Sequence, residues 1–240
     1  MNMFKMMTPK KTAALGIASV LAVSTVGIGG ALVTGAPLPS FSSVSTQENE
    51  MGDSTQALKS IQVLEDADRI VAHKRPFTFY DQWDITVDGV EVAHIKGEYF
   101  RMITDTYVMR DLDGNVMGAE EESIPFVTRS LSTFDHEGNK NGFIDQEFNP
   151  FLMTLKVIKD GESVGKAEQQ IALFDAGKIS LKDGNGDVEW DVDRNYGYFA
   201  GNEVVITRQN ADEVDAMDAV WVAVVFNEIM EAKENNRKSN

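Results

Sequence analysis

Eight consecutive apolar residues near the C-terminus, AVWVAVVF at positions 219–226, constrain the fold of this chain more than any other feature. Residues 216–233 contain no Gly or Pro, which favours a helix, although the β-branched residues would also suit a buried strand. A surface helix has one apolar stripe, whereas this helix is apolar on every side. It is too short to cross a bilayer, so the rest of the chain must enclose it.

Turn signals recur between residues 77 and 208, where short β-prone runs such as WDITV and EVVIT alternate with acidic residue–glycine pairs. These glycines are Gly89, Gly114, Gly138, Gly161 and Gly184. A glycine after Asp between apolar runs predicts a tight hairpin, because such turns need a positive φ. Five or six hairpins make about 10–12 strands, and sheets of that size curl or close to hide their edges. We therefore predict a mainly β fold, a closed antiparallel barrel of about 12 strands around the apolar C-terminal helix.

We predict that the N-terminal segment directs the chain to a membrane. Residues 13–36 are uncharged and mostly apolar, and Lys5, Lys10 and Lys11 precede them. A spanning helix needs about 20 apolar residues and a signal-peptide core about 7–15, so the length favours an uncleaved anchor. Cleavage after the small residues that precede Pro37, followed by secretion, is the alternative. Positive charge stays cytoplasmic, so we expect a single-pass protein whose domain lies outside the cytoplasm.

These signals divide the chain into five parts. Residues 1–36 are the membrane anchor or signal segment, and 37–55 are a polar linker. An amphipathic helix is predicted over 56–72, where Leu58, Ile61, Leu64 and Ile70 follow helical spacing. The barrel with its helix occupies 73–233, and 234–240 are a polar tail.

Composition excludes several classes of partner and chemistry. The chain has 22 basic and 38 acidic residues, a net charge of -16 and a pI of about 4.5. Such a surface repels phosphate backbones, so we expect no nucleic-acid partner. The sequence contains no cysteine, which removes disulfides, thiolate zinc sites, cysteine nucleophiles and a lipid-modified N-terminal cysteine.

One segment partly matches a calcium-binding loop. Read from Glu137, an EF-hand would place Asn139, Asn141 and Gly142 at loop positions 3, 5 and 6. Calcium needs a bidentate Glu at position 12, but Phe148 stands there. We therefore interpret the segment as a hairpin turn, and calcium binding stays open as an alternative.

Other polar groups do not form a recognisable site. Glu189, Asp191 and Asp193 alternate with apolar residues, which predicts a strand with one wet and one buried face. The three histidines, at 73, 94 and 136, stand in no zinc-binding spacing. No nucleophile elbow, phosphate-binding loop or dinucleotide fingerprint occurs. The sequence thus predicts no enzyme, and assigns no catalytic, cofactor or metal residues and no cofactor.

Three stretches resemble the LURP-one-related proteins: YVMRDLDGNVMG, FTFYDQWDITVDGVEVAHIKGEYF and DAMDAVWVAVVFNEI. That family belongs to the tubby C-terminal-like superfamily, which includes the phospholipid scramblases, and the resemblance spans residues 66–231. It implies a twelve-stranded barrel threaded by a central apolar helix. The basic residues with which tubby proteins bind phosphoinositides have no match here, and the cysteine-rich segment of scramblases is absent.

We therefore expect a membrane-anchored, non-catalytic domain that binds a lipid, a peptide or a partner protein. A scramblase-like protein that moves phospholipids and a calcium-responsive module are the alternatives. The sequence leaves the oligomeric state open.

Overall fold

A computed structural model describes residues 54–78, 80–98, 106–122, 129–147, 152–170, 177–195, 201–210 and 213–238. All of them belong to one compact unit, Pro39–Asn240. The predicted membrane segment, residues 1–36, and nearly all of the predicted linker lie outside the described residues.

The described chain forms a helix, twelve strands and a second helix. The first helix is α1 (Ser54–Glu65) and the last is α2 (Ala216–Lys238). Between them lie β1 (Arg69–Lys74), β2 (Gln82–Val87), β3 (Val90–Glu98), β4 (Thr106–Asp111), β5 (Val116–Glu122), β6 (Ser130–Phe134), β7 (Lys140–Glu147), β8 (Leu152–Lys159), β9 (Glu162–Gln170), β10 (Lys178–Lys182), β11 (Val188–Asn195) and β12 (Glu203–Arg208).

The strands form a closed antiparallel barrel. Each strand pairs with the next along the chain, and β1 pairs with β12, with Ile70 opposite Ile206. Closure leaves none of the twelve described strands at a free edge of the sheet. The predicted barrel of about 12 strands with a C-terminal helix is confirmed.

The core surrounds the first half of α2. Every residue from 219 to 226 is at most 1% exposed. The inward side chains of the strands pack around them, among them the fully buried Trp83, Ile95, Leu131 and Trp190. Because the buried positions occur on all sides of the helix, the barrel supplies the enclosure that the sequence demands.

Three of the tight turns share one hydrogen-bond pattern. In the turn between β4 and β5, one carboxylate oxygen of Asp111 accepts the backbone N–H groups of Asp113 and Asn115, at 3.0 and 2.8 Å. Asp135 and Asp183 accept the corresponding two N–H groups in the β6–β7 and β10–β11 turns. An aspartate that bonds its own turn in this way stabilises it without outside partners.

The fourth position of each of these turns is a glycine in the left-handed region, with φ of 90° at Gly114, 83° at Gly138 and 93° at Gly186. The sequence analysis assigned the last of these turns to Gly184, which is wrong. The turn starts at Asp183 and spans five residues, so its left-handed position falls on Gly186.

The helix predicted over 56–72 is shorter in the structure. It ends at Glu65, and Ile70 and Ala72 lie in β1 with their side chains in the core. Their spacing suited either a helix or a strand, and pairing with both β2 and β12 decides for the strand. The predicted polar tail is also partly helical, because α2 continues to Lys238.

Glu65, the last residue of α1, joins the two helices. Its carboxylate accepts the N–H groups of Ala216 and Met217 at 2.8 and 3.2 Å. These are donors of the first turn of α2, which have no partner within that helix. A side chain distant in sequence therefore supplies the N-terminal cap of the buried helix.

The two ends of the barrel are built differently. At one end, which we call the turn end, tight turns join β2 to β3 and each later even-numbered strand to the next, and α2 begins there. The other end, which we call the long-connection end, holds the β1–β2, β3–β4, β5–β6, β7–β8, β9–β10 and β11–β12 connections. The second half of α2 runs towards this end.

Replacing the buried aromatic ring of α2 tests the enclosure. We expect Phe226→Ala to lower the free energy of unfolding by about 3–5 kcal/mol, because it leaves a cavity in the barrel. Leu58→Ala, on the half-exposed face of α1, is the matched control and should change it by less than about 0.5 kcal/mol. Urea unfolding, followed by circular dichroism, measures both. Equal effects of the two substitutions would contradict the enclosure.

Candidate functional site

Polar and charged side chains line the inside of the barrel at the long-connection end. The apolar run of α2 stops at Asn227, which is fully buried, and Glu228, Glu231 and Glu234 follow. The surrounding chain adds a set of residues whose side chains reach the same region. These residues are Lys74, Asp81, Tyr107, Glu120, Glu122, Arg129, Arg194 and Asn202. Together with the four residues of α2, they form what we call the interior polar network.

Arg194 and Asn227 organise one side of the network. The Arg194 guanidinium donates to the Asn227 side-chain oxygen at 2.6 Å and to Glu234 at 2.6 Å. The Asn227 amide donates in turn to Glu231 at 2.9 Å, and Asn202 also donates to that carboxylate. The pairing of a 3%-exposed guanidinium in this way offsets the cost of its burial.

Lys74, at the end of β1, ties this side to the β1–β2 connection. Its ammonium contacts Glu231 at 2.7 Å and Asp81 at 3.1 Å. Burial acts to lower the pKa of Lys74, but the hydrogen bonds and charges of these two carboxylates outweigh it and raise the pKa overall. The lysine therefore stays charged and fixes the second half of α2 to the barrel wall.

Arg129 organises the opposite side. Its guanidinium binds both carboxylate oxygens of Glu122, at 2.6 and 2.7 Å, and donates to Glu228 at 3.0 Å. A bidentate guanidinium–carboxylate pair is a strong, directional interaction. Burial acts against the charge of Arg129, but the two carboxylates raise its pKa. The wall and the helix are thus joined by an ion pair on this side as well.

Glu120 is the exception within the network. It is 1% exposed, and in the described part of the chain neither of its carboxylate oxygens has a hydrogen-bond partner. Burial raises its pKa well above the usual value, the charges of Glu228 and Glu122 add to this, and Arg129 opposes it. The side chain is therefore held in its protonated form at pH values at which an exposed glutamate is ionised.

The network carries more negative than positive groups. Besides the protonated Glu120, it holds the five carboxyl groups of residues 81, 122, 228, 231 and 234, against the three cations at 74, 129 and 194. Such a balance favours cations and hydrogen-bond donors over anions. Within the described residues, however, no three or more His, Asp or Glu side chains are arranged to hold a metal ion.

A groove lies on the outer face of β9 to β12. It is a groove of about 880 Å³, and most of its lining is polar. Lys166 pairs with Glu168 and Lys178 with Asp193, each at 2.7 Å. Several charged residues of the groove are therefore paired with each other. The groove does not present a surface of one charge sign that would attract a charged ligand.

The partial EF-hand match does not form one loop. Glu137 and Asn139 lie in the turn between β6 and β7, whereas Asn141 and Gly142 already lie in β7. The carboxylate of Asp135 accepts backbone N–H groups of the turn at 2.8 and 2.9 Å. Phe148, the residue at position 12, lies outside the described residues.

The acidic strand β11 differs in one residue from the predicted alternation. Asp191 and Asp193 lie on the outer face, but Glu189 is 1% exposed. Its two carboxylate oxygens accept the N–H groups of Glu213 and Val214, at 2.8 and 2.6 Å. The expectation that Glu189 faces water is therefore wrong, because the segment leading into α2 needs an acceptor there.

The fold brings two of the three histidines near each other. His73 on β1 and His94 on β3 lie opposite Asp84, on either side of the intervening strand β2. The Asp84 carboxylate already accepts hydrogen bonds from the side chain of Arg75, whose Nε lies 2.8 Å from both carboxylate oxygens. His136 lies apart from them, in the β6–β7 turn.

The sequence analysis missed the interior polar network. Its signal was present, because Asn227 interrupts the apolar face of α2 and Glu228 and Glu231 follow at helical spacing. The network residues on the strands could not be recognised from the sequence in this way. Glu120 and Glu122 stand in a run of three acidic residues that resembles a solvated segment, and pairing with β4 and β6 turns both of them inward.

Comparison with known proteins gives one weak structural likeness. The sequence matches no protein-family model and no curated protein. The X-ray structure of a protein from Arabidopsis thaliana is similar to 71% of this chain and 97% of its own, at 12% identity and a TM-score of 0.48. A likeness at this level carries no argument about function.

Membrane-spanning helices are not found in the described part of the chain, because none of its helices is both long enough and apolar enough. The predicted anchor, residues 13–36, is outside that part.

Changing Glu120 to its neutral isostere tests the unpaired carboxyl. The pKa of Glu120 is higher in the folded than in the unfolded chain, so its protonated form stabilises the fold fully below the usual value of 4.5. This contribution is lost as the pH rises through the folded-state pKa. Glu120→Gln should therefore raise the free energy of unfolding at pH 8 by about 1–2 kcal/mol, with a difference that shrinks towards pH 4.5.

Glu122→Gln is the matched control, because the same chemical change there removes half of the bidentate pair with Arg129. It should lower the free energy of unfolding at pH 8 by about 2 kcal/mol or more. Urea unfolding of both variants between pH 4.5 and 8 measures the two effects. A destabilising Glu120→Gln, at every pH, would refute the assignment of an unpaired carboxyl.

Proposed function

We propose that this chain is a membrane-anchored, non-catalytic domain of the LURP-one-related type that binds a partner at the long-connection end of its barrel. The anchor is the apolar stretch of residues 13–36, whose length and flanking charges fit a spanning helix with the domain outside the cytoplasm. Secretion after cleavage is the alternative for location.

The filled barrel supports a role in surface binding. Residues 219–226 of α2 are at most 1% exposed and occupy the interior, so a ligand meets the described domain at its ends or on its outer face. The groove across β9 to β12 pairs several of its own charges. The groove is therefore a weaker candidate surface for a charged ligand than the ends of the barrel.

The observation that favours the long-connection end as a binding surface is the exposure of one described residue. Phe77, in the β1–β2 connection, is 92% exposed, the highest value among the exposed large apolar side chains of the described residues. Exposed aromatic residues are enriched at binding surfaces. Beneath this end, the interior polar network fixes the second half of α2 to the wall, which gives the surface a rigid base.

Kinship with the LURP-one-related proteins is part of the proposal. The closed antiparallel barrel of twelve strands with a C-terminal helix fits the architecture that the sequence resemblance implies. The scramblase-like and calcium-responsive alternatives stay predictions, because no described contact favours either of them.

Protease accessibility in intact cells, together with the mass of the mature N-terminus, tests the location. We expect added protease to cut within the predicted polar linker, residues 37–55, and release the domain from intact cells. The mature chain should retain residues 1–36. A variant that lacks residues 13–36 is the control, and its domain should be protected inside the cell.

Protection of the full chain in intact cells would refute an outside location. A mature mass that begins near residue 37 would replace the anchor with the secreted alternative.

A further inference from the structure

We propose that the interior polar network is a pH-dependent conformational switch, in which Glu120 holds the controlling proton. While this carboxyl group is protonated, the second half of α2, residues 227–238, stays bound to the barrel wall. Loss of the proton releases that half from the wall on the side of Arg129, and residues 219–226 remain enclosed. The inference concerns the described domain alone, and it holds whether the domain is anchored or secreted.

Glu120 lies on the inner face of the wall with no partner for its carboxyl group. In the sheet it stands opposite Tyr107 on β4 and Thr133 on β6, both of them buried, and the threonine does not titrate. Neither oxygen of the carboxyl has a hydrogen-bond partner among the described residues, and the same is true of Glu228 Oε1. A carboxyl group in such surroundings is more stable as the neutral acid than as the anion.

The charged groups that act on Glu120 come from three places in the fold. Glu122 lies on the same strand, Arg129 on the β5–β6 connection, and Glu228 on α2. The guanidinium is the one cation of this group of described residues, and it already binds both carboxylates, twice that of Glu122 and once that of Glu228. Ionisation of Glu120 would therefore place a third carboxylate around one guanidinium.

Glu228 is the group that this extra charge affects most. Burial raises its pKa. The charge of Arg129 and a hydrogen bond with Tyr107 oppose this and favour the carboxylate. Of the other charges, Asp81 adds to the rise and Lys74 opposes it. A negative charge on the neighbouring wall offsets the stabilisation by the guanidinium, and the two carboxylates then repel each other in an interior that screens charge poorly.

Of the two glutamates, the one on α2 is the one that can move. Glu120 belongs to β5, whose backbone is paired with both β4 and β6. Glu228 belongs to the second half of α2, whose described links to the wall are hydrogen bonds and ion pairs of side chains. Residues 219–226 contain no titratable group, so the enclosure of the first half does not depend on pH.

The ion pairs on the other side of α2 limit the movement. Arg194 binds Glu234 at 2.6 Å, and Lys74 binds Glu231 at 2.7 Å. None of these four charges is among those that act on Glu120. They keep the helix attached there, so the movement is a separation from one side of the wall.

The direction of the response follows from the protonation of Glu120. Burial, and after it the charge of Glu228, raises the pKa of this group well above the usual value of 4.5, against the opposing charge of Arg129. The bound form is therefore complete at acidic pH, and it is lost as the pH rises through the folded-state pKa.

Hydrogen–deuterium exchange of the full chain between pH 6 and 9, followed by mass spectrometry, tests the switch. Exchange is expressed as protection factors, which remove the intrinsic effect of pH on amide exchange and report local opening. The unsubstituted chain is compared with Glu120→Gln, which has a neutral side chain at every pH. Glu121→Gln is the matched control, because it makes the same change on the outer face of the same strand, opposite Thr106 and Ser132.

We expect the protection of residues 228–236 in the unsubstituted chain to fall by at least about fivefold between pH 6 and 9, while that of residues 219–226 changes by less than about twofold. Glu120→Gln should keep the pH 6 value throughout, and Glu121→Gln should follow the unsubstituted chain. A second variant, Glu228→Gln, removes one of the two repelling groups together with its bond to Arg129. Its protection should be lower at pH 6 and nearly independent of pH.

Three results would overturn the inference. The first is protection of residues 228–236 that does not change with pH in the unsubstituted chain. The second is a fall of equal size in Glu120→Gln or in Glu228→Gln, which would assign the response to another group. The third is an equal loss of protection in residues 219–226, because that would report unfolding of the whole domain instead of release of one half of a helix.

Discussion

The enclosure of α2 is the constraint on which the rest of the structure depends. Burying each large apolar side chain contributes about 1.5–3 kcal/mol, and this helix has no exposed side through residues 219–226. A single sheet or a helix partner covers one face, so only a wall that goes all round keeps the helix dry. The pairing of β1 with β12 completes that wall, and the helix in turn fills a barrel that would otherwise be hollow.

The second half of α2 is attached to the barrel wall by polar groups instead of apolar packing. Arg129 and Arg194 each join the wall to the helix through charged hydrogen bonds, so the buried charges are mostly paired. Among the described residues, Glu120 has no hydrogen-bond partner, and burial of its carboxyl group lowers the free energy of unfolding. The apolar packing of the core offsets this loss. The helix is thus fixed by packing at one end and by directional bonds at the other, which sets its position along the barrel axis.

The sequence predicts the fold well where one physical rule decides. The apolar run at 219–226 and the glycine turns lead to a closed barrel around a helix, and both features are observed. It fails where two rules compete, as at Ile70, whose spacing suits either helix or strand. It also fails where the partner lies outside the strand itself: Glu122 and Glu189 look solvated until the fold brings Arg129 and the segment before α2 to them.

The placement of the filling element at the end of the chain sets the order of biosynthesis. All twelve strands are synthesised before residue 216, so the inward side chains of the strands have no helix to pack against until the last residues emerge. Barrel closure and insertion of the helix must then occur together, after the last residues emerge. The cap that Glu65 gives to Ala216 would form in the same step, so the first and last described elements become ordered as one event.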